Sequence, residues 1–370
     1  MAGERQISRK TLVGLAAISL SLFALAYRSN EIVKQPWHTE KLKATRLALV
    51  AANAIKTLAI EKGLVIDAVN DQNLTGLIGP EYTDVTTDRG QLEAKLTTTN
   101  PSFAAVVVEM LKEADLVKGD LVAIGVTGSM PAMNIAVLAA VEALELKPII
   151  ISSVGSSTWG ATHPELTWLD MESHLFLKRI FHYRSIAASI GGGRDSGRGL
   201  SSLGRELIQQ AIQRSGIMLM SENSLEESIH RRMSLYDQFA KSKPIKAYIN
   251  VGGGLSSLGA AINGRLIPPG LSKNLAMKNF PVKGVIVQMA ERGIPIIHML
   301  NVKKIAAAYG LPISPHPLPE IGEGKVFFEE RHHVMIALLC LILQIGCITV
   351  FVRLDLFHRL FLKRVSETPL

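Results

Sequence analysis

Hydrophobic and polar positions change period several times along the chain, and the most informative changes fall between residues 121 and 163. Residues 121–126 (LVAIGV) form a short unbroken apolar run, the pattern of a strand buried on both faces. Thr127-Gly128-Ser129 is small and polar, and Pro131 suits the first turn of a helix. From residue 132 to 144 the apolar side chains recur at helical spacing. Lys147-Pro148 then leads into Ile149-Ile150-Ile151, a second buried strand. This order is one βαβ unit, and it predicts an α/β fold with an open, mostly parallel, Rossmann-like sheet.

Similar patterns flank this unit. Residues 37–62 read as a helix ending at Gly63. Residues 70–102 are polar and Thr-rich, a long irregular stretch with one helix at 89–96, and stretches of this kind often bind ligands. Residues 102–114 form a further helix, and the segment after His163 starts another at Thr162 or Thr167. A strand at 185–190 runs into Gly191-Gly192-Gly193 and a helix at 200–214. A strand at 217–220, a helix at 225–241 and a strand at 247–251 follow. Gly252-Gly253-Gly254 then opens a helix running through residue 260. Residues 282–289 and 294–298 are further candidates, 302–309 a helix, and the Pro- and Gly-rich 310–324 a hinge. Both triple glycines are followed by LSSLG, which suggests two related half-units.

Two segments are apolar without any period. Residues 11–27 carry no charge between Lys10 and Arg28; as a helix they rise about 25 Å, slightly short of a hydrocarbon core of roughly 30 Å. Residues 334–352 are uncharged between His333 and Arg353. Both read as transmembrane helices, the first uncleaved, with a cleaved signal peptide as its alternative. Each short tail has a net charge of +2, which points both ends to the cytoplasm and leaves +4 of the chain's +8 for the middle. The predicted organisation is a cytoplasmic tail (1–10), a transmembrane helix (11–27), an extracytoplasmic α/β domain (28–333) with two lobes dividing near 185, a transmembrane helix (334–352) and a basic cytoplasmic tail (353–370). The expected location is the inner membrane, with the main domain periplasmic. A middle this mildly basic allows an acidic ligand and gives no reason to expect nucleic acid. The only cysteines, Cys340 and Cys347, lie inside the second apolar segment, so the globular part has no disulfide and no cysteine nucleophile.

The candidate chemistry is concentrated in the turns after the strands. Glycines and small hydroxyls let backbone N–H groups face an anion, and such a rim is where α/β sheets bind ligands. The candidate ligand-binding residues are Thr127, Gly128, Ser129 and Asn134; Ser153, Gly155, Ser156 and Ser157; Gly192, Gly193, Arg194 and Arg198; and Gly253, Gly254 and Ser256. A carboxylate or phosphate is the expected ligand. No nucleotide motif is complete: Ser196 and Ser257 stand where G-x-G-x-x-G needs its last glycine, and Gly324-Lys325 is followed by Val326. No cofactor is predicted. Ser157 with His163, Asp170 and Glu172 is a candidate set for nucleophilic catalysis, outside the G-x-S-x-G pattern, which fails at Trp159. His163, Asp170, Glu172 and His174 match no metal-binding spacing, and no metal is predicted.

At GVTGSMPAMNIAVLAAVEAL, then PIIISSVGSSTWGATHPELTWLDME, and again at INVGGGLSSLGAAING, the chain resembles the poly-gamma-glutamate system protein family. The resemblance runs through most of the central domain and includes the terminal apolar segments. It implies an accessory of bacterial poly-γ-glutamate synthesis and export, working beside a synthetase and a small membrane partner. It supplies a pathway and carries over no catalytic residues. The expected function is binding of the anionic polymer or of partner proteins. The alternatives are an extracytoplasmic hydrolase that cuts or releases the polymer, and a scaffold for the synthetase.

Overall fold

In the computed structural model, which describes residues 9–354, the βαβ unit predicted from residues 121–153 supplies the middle of the main sheet. The two tails assigned to the cytoplasm fall almost entirely outside the described residues. In chain order the elements are α1 (Arg9–Arg28), β1 (Asn30–Lys34), α2 (His38–Glu61), β2 (Thr86–Asp88), α3 (Leu92–Thr98), α4 (Phe103–Glu113), β3 (Leu121–Thr127), α5 (Pro131–Ala143), β4 (Lys147–Ser153), β5 (Ser156–Ser157), α6 (Trp168–Leu177), β6 (Ala187–Ser189), α7 (Ser202–Arg214) and β7 (Met218–Met220). They continue as α8 (Leu225–Ala240), β8 (Ile245–Val251), α9 (Leu255–Leu258), α10 (Asn263–Leu266), β9 (Gly270–Ser272), α11 (Val285–Glu291), β10 (Ile296–Met299), α12 (Val302–Ala308), β11 (Phe328–His332) and α13 (Val334–Leu354). Residues 35–327 form one unit, and α1, β1, β11 and α13 form a second.

The larger unit holds a seven-stranded sheet in the order β7-β6-β4-β3-β8-β10-β9. All neighbours are parallel except β9, which runs antiparallel on the edge. The predicted α/β class with a mostly parallel sheet is therefore observed. Residue 185 lies between β4 and β6, which pair directly through Ile151↔Ala187. β3 and the Ile149-Ile150-Ile151 run of β4 are apolar because helices cover both faces. On one face α2 and α4 pack against α5, which is apolar on every side and buried except at Glu142. On the other, Ile149, Ile151, Tyr248 and Ile296 meet Met233 and Tyr236 of α8 and Val285 and Met289 of α11. The segment 282–289 thus contributes a helix. The start of α6 follows from its sequence: the Thr167 Oγ1 and N–H both donate to Asp170, in a capping box.

In the smaller unit β1 and β11 pair antiparallel, from Asn30↔His332 to Lys34↔Phe328. Part of the polar segment that follows α1 is therefore a strand. α1 lies against α13, and Gln344 Nε2 donates to Ser19 Oγ at 2.6 Å. Among the described residues one helix, α13, is long and apolar enough to cross a membrane; the apolar part of α1 is shorter.

Candidate functional site

Chain order around the sheet reverses between β3 and β8. From β3 the chain moves outward through β4, β6 and β7, then returns to the other side of β3 as β8. Ligands of open α/β sheets bind outside the strand ends at such a reversal. The four turns predicted to carry chemistry meet there. A Cβ on Gly254 would lie 3.1 Å from Thr127 Cγ2 and 3.9 Å from Ser153 Oγ. One on Gly191 would lie 3.2 Å from the Gly155 nitrogen, and one on Gly128 would strike the Val154 carbonyl. The long stretch before α4 folds over this rim. β2 pairs with β5 through Thr86↔Ser156 and Asp88↔Ser157, and Thr87 Oγ1 donates to the Ser156 carbonyl.

Under that cover lies a small polar cluster. Lys95, on α3, is 3% exposed. Its ammonium group donates to the Ser129 carbonyl, and to Ser157 Oγ at 2.8 Å. The Ser157 N–H donates to Ser129 Oγ at 3.0 Å, which ties the β3 turn to β5. Both serines are half-buried, so they form the side of the cluster open to solvent. Burial lowers the Lys95 pKa to about 7, and among the described residues no carboxylate is paired to oppose it. Gly90 packs directly on the pair: a Cβ there would sit 3.0 Å from Ser157 Oγ and 3.1 Å from Lys95 Cε.

A second cluster lies beneath the Gly191–Gly193 turn and is closed. Asp195 accepts from Ser153, Ser189 and Ser228 hydroxyls at 2.9, 2.8 and 2.6 Å. Arg232, 1% exposed, donates to Asp195 at 2.9 Å and also to Ser153 and Ser189. Arg194 and Asp195 both have left-handed backbone, φ 57° and 61°, and Gly191 and Gly192 share that region. These two glycines are thus explained by the fold of the turn that seats Asp195 under the sheet edge.

The other predicted residues divide as follows. Thr127 Oγ1 donates to the Val251 carbonyl and Asn134 Nδ2 to the Thr127 carbonyl, so both brace β3 from within the core. Ser153 belongs to the closed cluster, and Ser156, fully buried, donates to the Ser157 carbonyl. Ser256 is buried, and its hydroxyl has no partner. The Arg194 and Arg198 side chains are exposed at the rim, as is Gly253, while Gly155, Gly192, Gly193 and Gly254 form the turns around it.

The triad expected around Ser157 is not assembled. His163 Nδ1 accepts from the Glu165 amide, and the ring lines a narrow 50 Å³ cleft with Gly79, Pro80 and Gly160. Asp170 caps α6 and is held by Arg214 at 2.7 Å. Glu172 is buried and accepts from the Ser185 N–H and hydroxyl, both at 2.9 Å. Burial raises its pKa to about 7. The partner of the Ser157 hydroxyl is Lys95, a residue not singled out from the sequence. The one carboxylate on α3, Glu93, pairs with Lys303 instead, and the burial of Lys95 arises from residues 34 and 62 positions away. Among the described residues no group of three or more His, Cys, Asp or Glu could hold a metal ion. A further cavity of about 440 Å³ lies away from the rim, beside β9 and α12, lined by Glu113, Lys273, Lys304 and Tyr309.

No protein-family model, no curated protein and no solved structure matches the chain.

Proposed function

We propose that the chain is a membrane-anchored component of a poly-γ-glutamate synthesis and export system, and that its α/β unit, outside the cytoplasm, holds the anionic polymer along the rim at the carboxyl ends of β3, β4, β6 and β8. The observation that carries this reading is the meeting of four small-residue turns at the sheet's reversal point, beside the exposed cations Arg194 and Arg198. The first turn of α5 opens on the same rim and adds the positive end of a thirteen-residue helix. The resemblance in three segments to the poly-gamma-glutamate system family supplies the ligand: a chain with one free carboxylate on each unit.

Membrane anchoring is supported by the smaller unit. Val334, Met335, Leu339, Ile342 and Ile345 of α13 are exposed, as are Val13, Leu20 and Phe23 of α1. So much exposed apolar surface is stable in lipid and unfavourable in water. The Gln344–Ser19 hydrogen bond gives both polar groups a partner between the helices.

Full-length protein in detergent is expected to retain purified poly-γ-glutamate, with affinity falling as salt rises and falling several-fold in the Arg194→Ala/Arg198→Ala variant. Binding indifferent to both salt and substitution would overturn the proposal.

A further inference from the structure

We propose that Ser157 is a nucleophile and Lys95 its general base, so that the rim cleaves a carbonyl substrate by acyl transfer. Three features of the site support this. The serine hydroxyl and the lysine nitrogen are 2.8 Å apart, within reach for direct proton transfer. The serine is half-buried on the rim, while the lysine lies behind it and is held by the Ser129 carbonyl. Among the described residues no carboxylate pairs with the lysine to fix it as the ammonium form; burial brings its titration to about pH 7, where the free amine is well populated.

The chemistry balances with these groups and water alone. The free amine of Lys95 takes the Ser157 hydroxyl proton as Oγ bonds to the substrate carbonyl carbon. The resulting ammonium returns that proton to the leaving nitrogen as the amide C–N bond breaks. An acyl ester on Ser157 remains. Lys95 then deprotonates a water that attacks the ester carbon, and the proton passes back to Oγ as the C–O bond breaks. One amide and one water become a carboxylic acid and an amine. The identity of the substrate as the γ-amide of a carboxylate-bearing chain rests on the function proposed above; the nucleophile–base pair does not.

The test uses full-length protein in detergent and a fluorophosphonate probe, which reacts with activated serine hydroxyls. Adduct mapping is expected to place the label on Ser157, at a rate that rises through pH 7. Ser157→Ala should abolish it. Lys95→Met and Lys95→Arg should each slow it at least a hundredfold, and Lys95→Arg, which keeps the charge but cannot lose its proton, separates a base from a structural cation. Folding of each variant is checked by its thermal transition. An unlabelled Ser157 in folded protein, or equal labelling in Lys95→Arg, would sink the proposal. A labelled serine with poly-γ-glutamate left at full length on sizing supports the pair and removes that polymer as its substrate. Polymer binding retained in Ser157→Ala keeps the function proposed above standing even if the nucleophile fails.

Discussion

Ser153, Ser189 and Ser228 surround a buried ion pair, whereas Ser129 and Ser157 surround a buried lysine that meets no counter-ion among the described residues. The two clusters share a sheet edge and much the same residue types. In the first, Asp195 accepts five hydrogen bonds from four residues and Arg232 spreads its N–H groups over Asp195 and two serines, so nearly every polar group has a partner. Such a network holds a strained turn in place and has no free group to offer a ligand. In the second, the cation faces only neutral oxygens and the outer serines reach solvent. Polar residues that complete one another act as structure, and the same residues left short of a partner can do chemistry.

The comparison breaks most sharply at Asp195. Replacing it with alanine leaves Arg232 buried without its anion and releases the left-handed turn. Loss of one partner of a buried ion pair costs about 3–5 kcal/mol, and the three serine hydroxyls lose an acceptor as well. Asp195→Ala is therefore expected to be the most damaging of the substitutions considered, read as a large fall in thermal midpoint or as failure to accumulate. A midpoint close to wild type would mean that the closed cluster does not hold the turn.

Lys95 should respond in the opposite sense. Its folded pKa, about 7, lies below the ordinary lysine value of 10.5. Between those values the unfolded chain binds more protons, so stability rises with pH through that window, and the penalty is fully present below pH 7. Lys95→Met removes the desolvated cation and keeps the volume. It is expected to stabilise the protein below pH 7 and to flatten a wild-type rise on the order of 3 kcal/mol between pH 7 and 10. Denaturant midpoints across that range decide it; an unchanged slope would show that Lys95 is not the group that titrates.

Much of the fold could be read from the chain. β3, α5 and β4 were legible because buried strands of a covered parallel sheet carry unbroken apolar runs, and because Pro131 marks the start of α5 with its own chemistry. β1 and β11 were not legible. Their sequences, NEIVK and FEERH, are polar and exposed, and each becomes a strand only by pairing with a partner about 300 residues away. Position on the rim was also legible, since small residues after strands gather where the sheet ends. The roles on it were not. Local spacing suggested His163 for Ser157, but the loop after β5 places His163 at a neighbouring cleft. Lys95 acquires its character from contacts that exist only once β2, β5 and the β3 turn have come together. The triple glycine at 191–193 suggested a ligand cradle, and the partner that accounts for it, Arg232, lies on another helix.

Glu172 gives the finest test of what separates an open cluster from a closed one, because it too is a buried titratable group without a counter-ion in direct contact. It accepts two hydrogen bonds from Ser185, which favour its anion, yet burial outweighs them and raises its pKa from 4.5 to about 7. The folded state therefore holds its proton over a range in which the unfolded chain has lost it. The resulting stability is fully present below pH 4.5 and is lost as pH rises through 7. Lys95 contributes its rise on the other side of the same point, so the part of the profile set by this pair has its minimum near pH 7. Glu172→Gln keeps an acceptor for Ser185 and cannot ionise. It is expected to raise stability at pH 7 by on the order of 2 kcal/mol relative to wild type. The difference should vanish near pH 4, and the Ser157 labelling rate should stay unchanged. Thermal midpoints at pH 4 and 7 measure the first effect and probe kinetics the second. A slowed label would tie Glu172 to the nucleophile after all, and would make the two regions one site.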